Sequence, residues 1–598
     1  MTWEILCILV LLVAALFSFA LEKIPPDLTA LTLLAVLIAA GLLPMDRALN
    51  VFSNPAPITV GCMFILSAAL EKCGLIDRLA GLFEGLVNLA YARFLFILIL
   101  VVALLSAFVN NTPVVVIFMP VVLSLARKLK LPASKLLIPL SYASILGGMC
   151  TLVGTSTNIL VSGIAVQHGV APFGMFELAW VGLPALAVGA VYLIVIGPKI
   201  LPVRETLTSI LTDEERREYI TEAFVQRGSP AVGKTLPQAN IHQKNGIRVI
   251  DVARFGVSLQ SELDKLILQE GDRLILACRP AGMARARKME GFDFMGEAGL
   301  GLEQITAHEG MLVEGMVGPN STLAGHTITE INFRQRFQMI VVAIHRRGRN
   351  VREGIESLRL DFGDTLLMLG TEGIINQLRT SDDILLIDRP PVPAESRQHK
   401  APIVLATLCG VIGAASFGMA RIEFAAFVGV VVLFLTQCLR PKEGYLAVQW
   451  NILFLIFAML GMGAAMEYTG TSAFLSSGIV SVVDEFAADA YKPLVMLACI
   501  YLLTNLLTEI LSNNAAAVIM ATIAVGTATT LGVDPKPYFI AVAIAASASF
   551  ATPIGYQTNT YVYGFGGYRF SDFLKVGIPL NLLCFIIAMI VIPWVWGF

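Results

Sequence analysis

Charge is what this chain has least of. Only 42 of its 598 residues are Lys or Arg and 44 are Asp or Glu, well below the roughly one quarter usual in soluble proteins. Hydrophobic residues make up 56% and the mean hydropathy is +0.76, which excludes a soluble globular fold and predicts an α-helical polytopic membrane protein. The formal net charge is -2, and no run of Lys or Arg is long enough for a nucleic-acid patch, so no nucleic-acid partner is expected. Cysteine is scarce too: nine in all, eight of them within hydrophobic segments and Cys278 alone in the polar middle. With no C-x-x-C spacing, neither a metal cluster nor a disulfide framework is indicated. The six His avoid the span interiors, which argues against a histidine-ligated metal. The first apolar segment lacks a basic n-region and a small-residue cleavage site, so it reads as a span rather than a signal peptide. No Walker loop or catalytic constellation occurs, and no enzymatic activity is expected.

Long hydrophobic runs are plentiful. A span needs roughly 20 apolar residues. Runs near 5–21, 28–43, 58–73, 93–126, 137–165 and 178–200 are matched, beyond a polar middle, by 402–418, 422–438, 451–467, 492–531, 537–562 and 573–596. The fourth run of each half is too long for one span and too short for two. Each is interrupted by an Asn pair, at Asn110-Asn111-Thr112-Pro113 and at Ser512-Asn513-Asn514. Each therefore reads as a re-entrant hairpin of two half-length helices. A second polar break follows in the next run, at Gly154-Thr155-Ser156-Thr157-Asn158 and at Thr552-Pro553-Ile554-Gly555-Tyr556-Gln557-Thr558-Asn559. The Asn pairs lie 513 − 110 = 403 positions apart, and the steps from Asn111 to Asn158 and from Asn514 to Asn559 are 47 and 45. Ordinary loops would account for one such break, but four in two matched pairs point to the binding site of a transporter with internal repeats. A local match of Ala68-Ala69-Leu70-Glu71 and Gly74 to Ala464-Ala465-Met466-Glu467 and Gly470 agrees with duplication, although chance between apolar segments explains it as well. The segment 75–91, with Asp77, Arg78 and Glu84, is mixed enough to lie along the membrane interface.

Five spans and one hairpin per half reverse the chain's direction, so the second repeat is inverted relative to the first. With both termini outside, fourteen Lys and Arg fall on the inner side and only Arg47, Arg421, Lys492 and Lys536 on the outer. The positive-inside rule then places the polar middle in the cytoplasm, and the plasma membrane is the expected location. The division is 1–203 for the first repeat, 204–291 and 292–398 for two cytoplasmic modules, and 399–598 for the second repeat. The modules are themselves a duplication. Glu222, Gly233, Thr235, Leu268, Gly271 and Asp272 recur 92 positions later as Glu314, Gly325, Thr327, Leu360, Gly363 and Asp364. Short strands just after each Gly-Asp turn predict two small α/β modules.

Helix N-termini exposed at such breaks bind anions, and unwound carbonyls and hydroxyls bind cations. No Lys or Arg lies in any of the four breaks, which favours an anion whose charge is offset by bound cations. Pro113 and Pro553 suit the first turn of a restarted helix. Glu509 is the one acid deep in an apolar run beside a break. It is either a coupling or proton-relay group or a cap on backbone in the tip, and both readings stand. Glu71 and Glu467 read as interfacial.

The four breaks together resemble the divalent anion/sodium symporters, and among them the bacterial permeases assigned to sulfate. The insert resembles paired C-terminal ligand-binding modules of potassium-channel regulatory proteins. The resemblance implies a homodimer that moves sodium and a divalent anion by an elevator motion, sulfate favoured and a dicarboxylate next, with a cytosolic nucleotide or metabolite at the modules. It also implies a Ser-Asn-Thr motif at each tip, here Asn110-Asn111-Thr112 and Ser512-Asn513-Asn514. The substrate residues it implies are Asn110, Asn111, Thr112, Thr157, Asn158, Ser512, Asn513, Asn514, Thr558 and Asn559. Sodium would meet Asn111, Gly154, Thr155 and Asn158 in the first half, and Ser512, Asn514, Thr552, Gly555 and Asn559 in the second. A cation/proton antiporter or metalloid exporter of the same superfamily, and an anion sensor with little transport, are the rival expectations.

Overall fold

The computed structural model describes residues 2–21, 24–75, 90–128, 131–203, 397–486 and 488–597, and between them the greater part of 217–294 and 309–386. The chain divides into two units, Met1–Arg204 with Val392–Phe598, and Glu205–Pro391. The interfacial segment expected at 75–91 lies almost wholly outside the described residues.

The membrane unit is a repeat of helices. Its first half holds α1 (Trp3–Leu21), α2 (Pro26–Ala39), α3 (Met45–Val51) and α4 (Pro55–Lys72), then the pair α5 (Tyr91–Ser106) and α6 (Asn111–Lys128). A broken span follows, α7 (Ser134–Gly148) and α8 (Ser156–Gln167), and then α9 (Ala179–Val191), continued through a π-helical turn to Ile200. The second half runs α10 (Ala401–Ser416), α11 (Ile422–Leu435), α12 (Pro441–Ala447), α13 (Trp450–Tyr468) and α14 (Thr471–Phe486). Its hairpin is α15 (Lys492–Thr508) with α16 (Asn513–Leu531), its broken span α17 (Lys536–Ser547) with α18 (Gln557–Gly566), and its last helix α19 (Phe570–Trp596). Among the described residues six helices are long and apolar enough to cross a membrane.

These helices are apolar on the outside as well as within. Along α19 the residues Ile578, Leu582, Ile586 and Ile590 are exposed in one stripe, while Phe573, Leu580, Cys584 and Ile592 are buried. A helix hydrophobic all round belongs in lipid. The chain is thus the helical membrane protein with repeated halves that its composition predicts.

Two details differ from the sequence reading. The hairpin arms have 16, 18, 17 and 19 residues, about 24 to 28 Å at the helical rise, rather than half the thickness of a bilayer core of about 30 Å. Each tip takes only four residues, so nearly all of the overlong run becomes helix. Helix α14 was not expected. Its polar face is anchored on α16, where Ser472 donates to the Thr522 carbonyl (2.8 Å) and Ser476 to that of Ile523 (3.2 Å).

The polar unit is a ten-stranded antiparallel sheet. Strands β1 (Arg217–Val225), β2 (Ile247–Arg254), β3 (Val257–Ser258), β4 (Arg273–Cys278) and β5 (Phe292–Phe294) recur as β6 (Glu309–Val317), β7 (Ile340–Arg346), β8 (Arg349–Val351), β9 (Thr365–Gly370) and β10 (Ile384–Leu386). The order is β3-β2-β4-β1-β6-β9-β7-β8, with β5 on β1 and β10 on β6. Because β5 pairs with β1, the first copy extends at least to Phe294, past the boundary expected at 291. The duplicated Gly and Asp have a shared reason. Gly271 and Gly363 take φ of 82° and 83°, a conformation open to glycine at no steric cost. The Asp that follows each one is buried and accepts two hydrogen bonds from an Arg. Arg254 Nε and Nη2 reach Asp272 at 2.8 and 2.9 Å, and Arg346 holds Asp364 by the same two atoms. The hydrogen bond to each aspartate raises the pKa of its Arg.

Close approach in the membrane unit depends on glycine at Gly577, where α19 crosses the second break. A Cβ there would overlap the Phe550 carbonyl oxygen and lie 2.6 Å from the Ala551 Cα, whereas a Cβ on Gly410 would meet nothing within 4 Å. Backbone cannot yield as a side-chain tip can. Gly577→Ala is expected to destabilise the protein by about 1–3 kcal/mol, and Gly410→Ala to leave it unchanged or slightly stabilised. Thermal unfolding in detergent checks the pair.

Candidate functional site

Each break is held open by the same few hydrogen bonds. In the first half Asn158 Nδ2 donates to the carbonyls of Gly148 (3.2 Å) and Thr151 (2.8 Å). In the second, Asn559 Nδ2 donates to those of Ser549 (2.9 Å) and Thr552 (3.1 Å). Both amides reach back ten and seven residues. The Gly154 and Gly555 amides donate to Thr151 Oγ1 (3.1 Å) and Thr552 Oγ1 (3.0 Å). The two threonine hydroxyls then fasten each break to its own hairpin tip, on the carbonyls of Ala107 and Glu509. Residues 149–153 and Thr155 are all buried, so the first break is not a surface loop.

The tips obey the same symmetry. Ser106 Oγ donates to Asn111 Oδ1 (2.5 Å) and Thr508 Oγ1 to Asn513 Oδ1 (2.7 Å). Asn111 is therefore the mate of Asn513, with an offset of 513 − 111 = 402. The 403 read by laying one Asn pair on the other is one residue too many. Asn110 pairs instead with Ser512, and Thr112 with Asn514, the register of the Ser-Asn-Thr comparison.

Each tip is tied to the break of the opposite half. Thr112 Oγ1 donates to Gln557 Oε1 (3.1 Å) and Asn111 Nδ2 to the Tyr556 hydroxyl (2.5 Å). In return Ser156 Oγ and Thr157 Oγ1 each lie 3.2 Å from Asn514 Oδ1. The starts of α6, α8, α16 and α18 thereby meet at one cavity of about 200 Å³. Asn110, Thr112, Thr155, Thr157, Ser512, Asn513, Asn514 and Gly555 line it, along with Ser156, Tyr556 and Gln557. Four helix N-termini point there, two of them with one amide capped by Thr155 Oγ1 or Ser512 Oγ, a setting that favours an anion.

Among the residues expected to bind, Asn111, Gly154, Asn158, Thr552, Thr558 and Asn559 are not on the cavity wall. Asn158 and Asn559 brace the unwound backbone, and Thr558 is buried 2.9 Å from Ser141 Oγ. Oxygen atoms nevertheless converge behind the wall. Asn158 Oδ1 is buried with no hydrogen-bond partner among the described residues. A Cβ on Gly148 would lie 2.7 Å from Asn111 Oδ1 and 3.2 Å from the Gly154 carbonyl oxygen, and one on Gly555 would lie 2.9 Å from the Thr508 carbonyl oxygen and 3.0 Å from Thr552 Oγ1. Apart from Asn111 Nδ2, 3.0 Å from the same Gly148 point, these are oxygen donors of the kind that suit hard cations. The halves differ here, since Asn559 Oδ1 already accepts from Ser141 Oγ (2.7 Å).

Glu509 is a tie between tip and break. Its carboxylate accepts from the Ala551 and Thr552 amides and from Asn581 Nδ2, each at 2.8 Å, and from Ser549 Oγ at 3.3 Å. The amides it caps belong to the second break, not to the tip where the sequence reading put such a cap. Asp27 and Asn451 also line the cavity and went unnoticed in the sequence, where each sits just inside an ordinary span start. Ser156, Tyr556 and Gln557 lay within the quoted breaks, but no spacing rule separates them from their neighbours.

A sequence profile described as a citrate transporter matches residues 16–545. An uncharacterized transporter of Synechocystis is 34% identical over 603 residues, covering 100% of this chain and 98% of its own. The uncharacterized transporter YfbS of Escherichia coli is 29% identical, with 100% of both chains covered. Sodium/sulfate cotransporter 2 of Chlamydomonas reinhardtii is 24% identical over 96% of this chain and 88% of its own. With the profile spanning most of the sequence and a 34% identical transporter aligned along its whole length, this chain belongs to the citrate transporter family and is a membrane transporter, not an enzyme.

Proposed function

We propose that this protein takes up a divalent oxyanion, sulfate before a dicarboxylate, together with sodium, by an elevator movement of the hairpins and broken spans. The convergence of four breaks on one cavity lined by amides, hydroxyls and helix N-termini carries the reading. Such a wall donates hydrogen bonds to oxyanion oxygens but supplies no basic side chain, so the cargo's charge is offset by co-bound cations. Asn111, Gly154, Thr155 and Asn158 would take one sodium ion in the first half, and Ser512, Asn514, Thr552, Gly555 and Asn559 another in the second. The citrate transporter profile supports an anion cargo, and the names of the Chlamydomonas relatives support sodium and sulfate. Glu509 acts in this reading as a strut that keeps the second break aligned with its tip. The chain would work as a homodimer in the plasma membrane with its insert in the cytoplasm, where the modules bind a nucleotide or metabolite. Such a ligand can regulate only through different affinities for two transporter states.

Uptake into proteoliposomes, compared for sulfate, succinate, citrate and phosphate, is expected to be fastest for sulfate and to fall to background when choline replaces Na⁺. An unchanged rate in choline overturns sodium coupling. Asn111→Ala removes a buried tip hydrogen bond from Ser106, worth about 1–3 kcal/mol when its partner is stranded, and Asn513→Ala removes the part-buried one from Thr508, whose hydroxyl keeps the Ala546 carbonyl. Each variant is expected to cut uptake roughly 10- to 100-fold while folded yield stays near wild type, and full activity in both would count against the site. Replacing residues 205–398 by a short flexible linker is expected to leave a transporting dimer that no longer responds to cytosolic metabolites. Dissociation to monomers in light scattering would instead assign the insert to assembly.

A further inference from the structure

The cavity draws its charge from outside the four breaks. Among the described residues that line it there is no Lys or Arg, and the acid is Asp27, in the first turn of α2, beside Asn451 and Ile452 from the first turn of α13. An acid there also suits the positive end of the α2 dipole. That accounts for its place in the helix but not for its place on the cavity wall.

We propose that Asp27 sets the order of loading, drawing cations into the cavity before the anion and weakening the anion's hold once they have left. The inference rests on the sodium-coupled anion reading. Coulomb energy scales with the product of the charges, so one fixed carboxylate favours Na⁺ and disfavours a divalent anion twice as strongly at equal distance. A fixed charge moves the two affinities in opposite directions. It leaves unchanged the factor by which bound Na⁺ assists the anion, because that factor belongs to the pair of ligands. An empty cavity therefore repels a lone anion, which suppresses uncoupled leak. Departure of the cations leaves the anion facing a bare carboxylate, which speeds its release.

The test is equilibrium titration of the full-length protein in nanodiscs with Na⁺ alone, and with sulfate at saturating Na⁺. Asp27→Asn is expected to weaken Na⁺ and to tighten sulfate about tenfold, the sulfate shift being the larger because of its double charge, and Asp27→Glu is expected to match wild type. Asp27→Ser serves as a second neutral variant if Asp27→Asn folds poorly. A merely structural role weakens both ligands together, so shifts of the same sign, or none, overturn the inference while leaving the transport reading in place. Wild-type protein that binds neither Na⁺ nor sulfate overturns both.

Discussion

Hydrocarbon offers a peptide group no hydrogen-bond partner, and an unwound stretch inside a membrane survives only if the protein supplies one. Two asparagine side chains do so here. Asn158 and Asn559 each close a loop of broken helix by donating to two of its carbonyls. A threonine in each break then accepts from a glycine amide and donates to the neighbouring tip. With the backbone satisfied in this way, the chain can turn the N-termini of α8 and α18 toward the cavity instead of continuing two ordinary spans. The site is a by-product of satisfying those groups.

The cross-ties bind the halves into one polar assembly. Thr112 to Gln557, Asn111 to Tyr556, and Ser156 and Thr157 to Asn514 all run between repeats. Each is worth only about 0.5–1.5 kcal/mol net, and where the tie is buried, as from Thr157 to Asn514, leaving a group unpaired costs more than pairing it returns. The tips and breaks therefore favour staying together. Two tightly packed backbones reinforce this, α19 against the second break at Gly577 and α9 against the first at Gly182. The repeats are not identical, however. Glu509 stands where the first half has Ala107, and Ser141 supports Asn559 Oδ1 while Asn158 Oδ1 has no such partner among the described residues. Duplication set the frame, and these substitutions made the two oxygen-lined regions behind the cavity different.

Much of this was legible in one dimension. Hydrophobic length, the doubled Asn pairs and the 92-residue spacing of the insert do not depend on packing, so sequence alone determined the membrane class, the repeated halves, the four breaks and the duplicated modules. The Gly-Asp turns of the insert were equally plain, because only a glycine enters a turn of positive φ freely. Tertiary structure decided the rest. Only hydrogen bonds between helices show that Asn111 answers Asn513, that Asn158 braces backbone while Asn514 faces the cavity, and that Glu509 caps amides. Asp27 joins the cavity through the meeting of α2 with elements hundreds of residues away, and no local pattern marks an acid in a first turn as anything but a helix start. Periodicity and interruption are written along the chain, whereas which polar atom meets which depends on the distances that folding creates between segments remote in sequence.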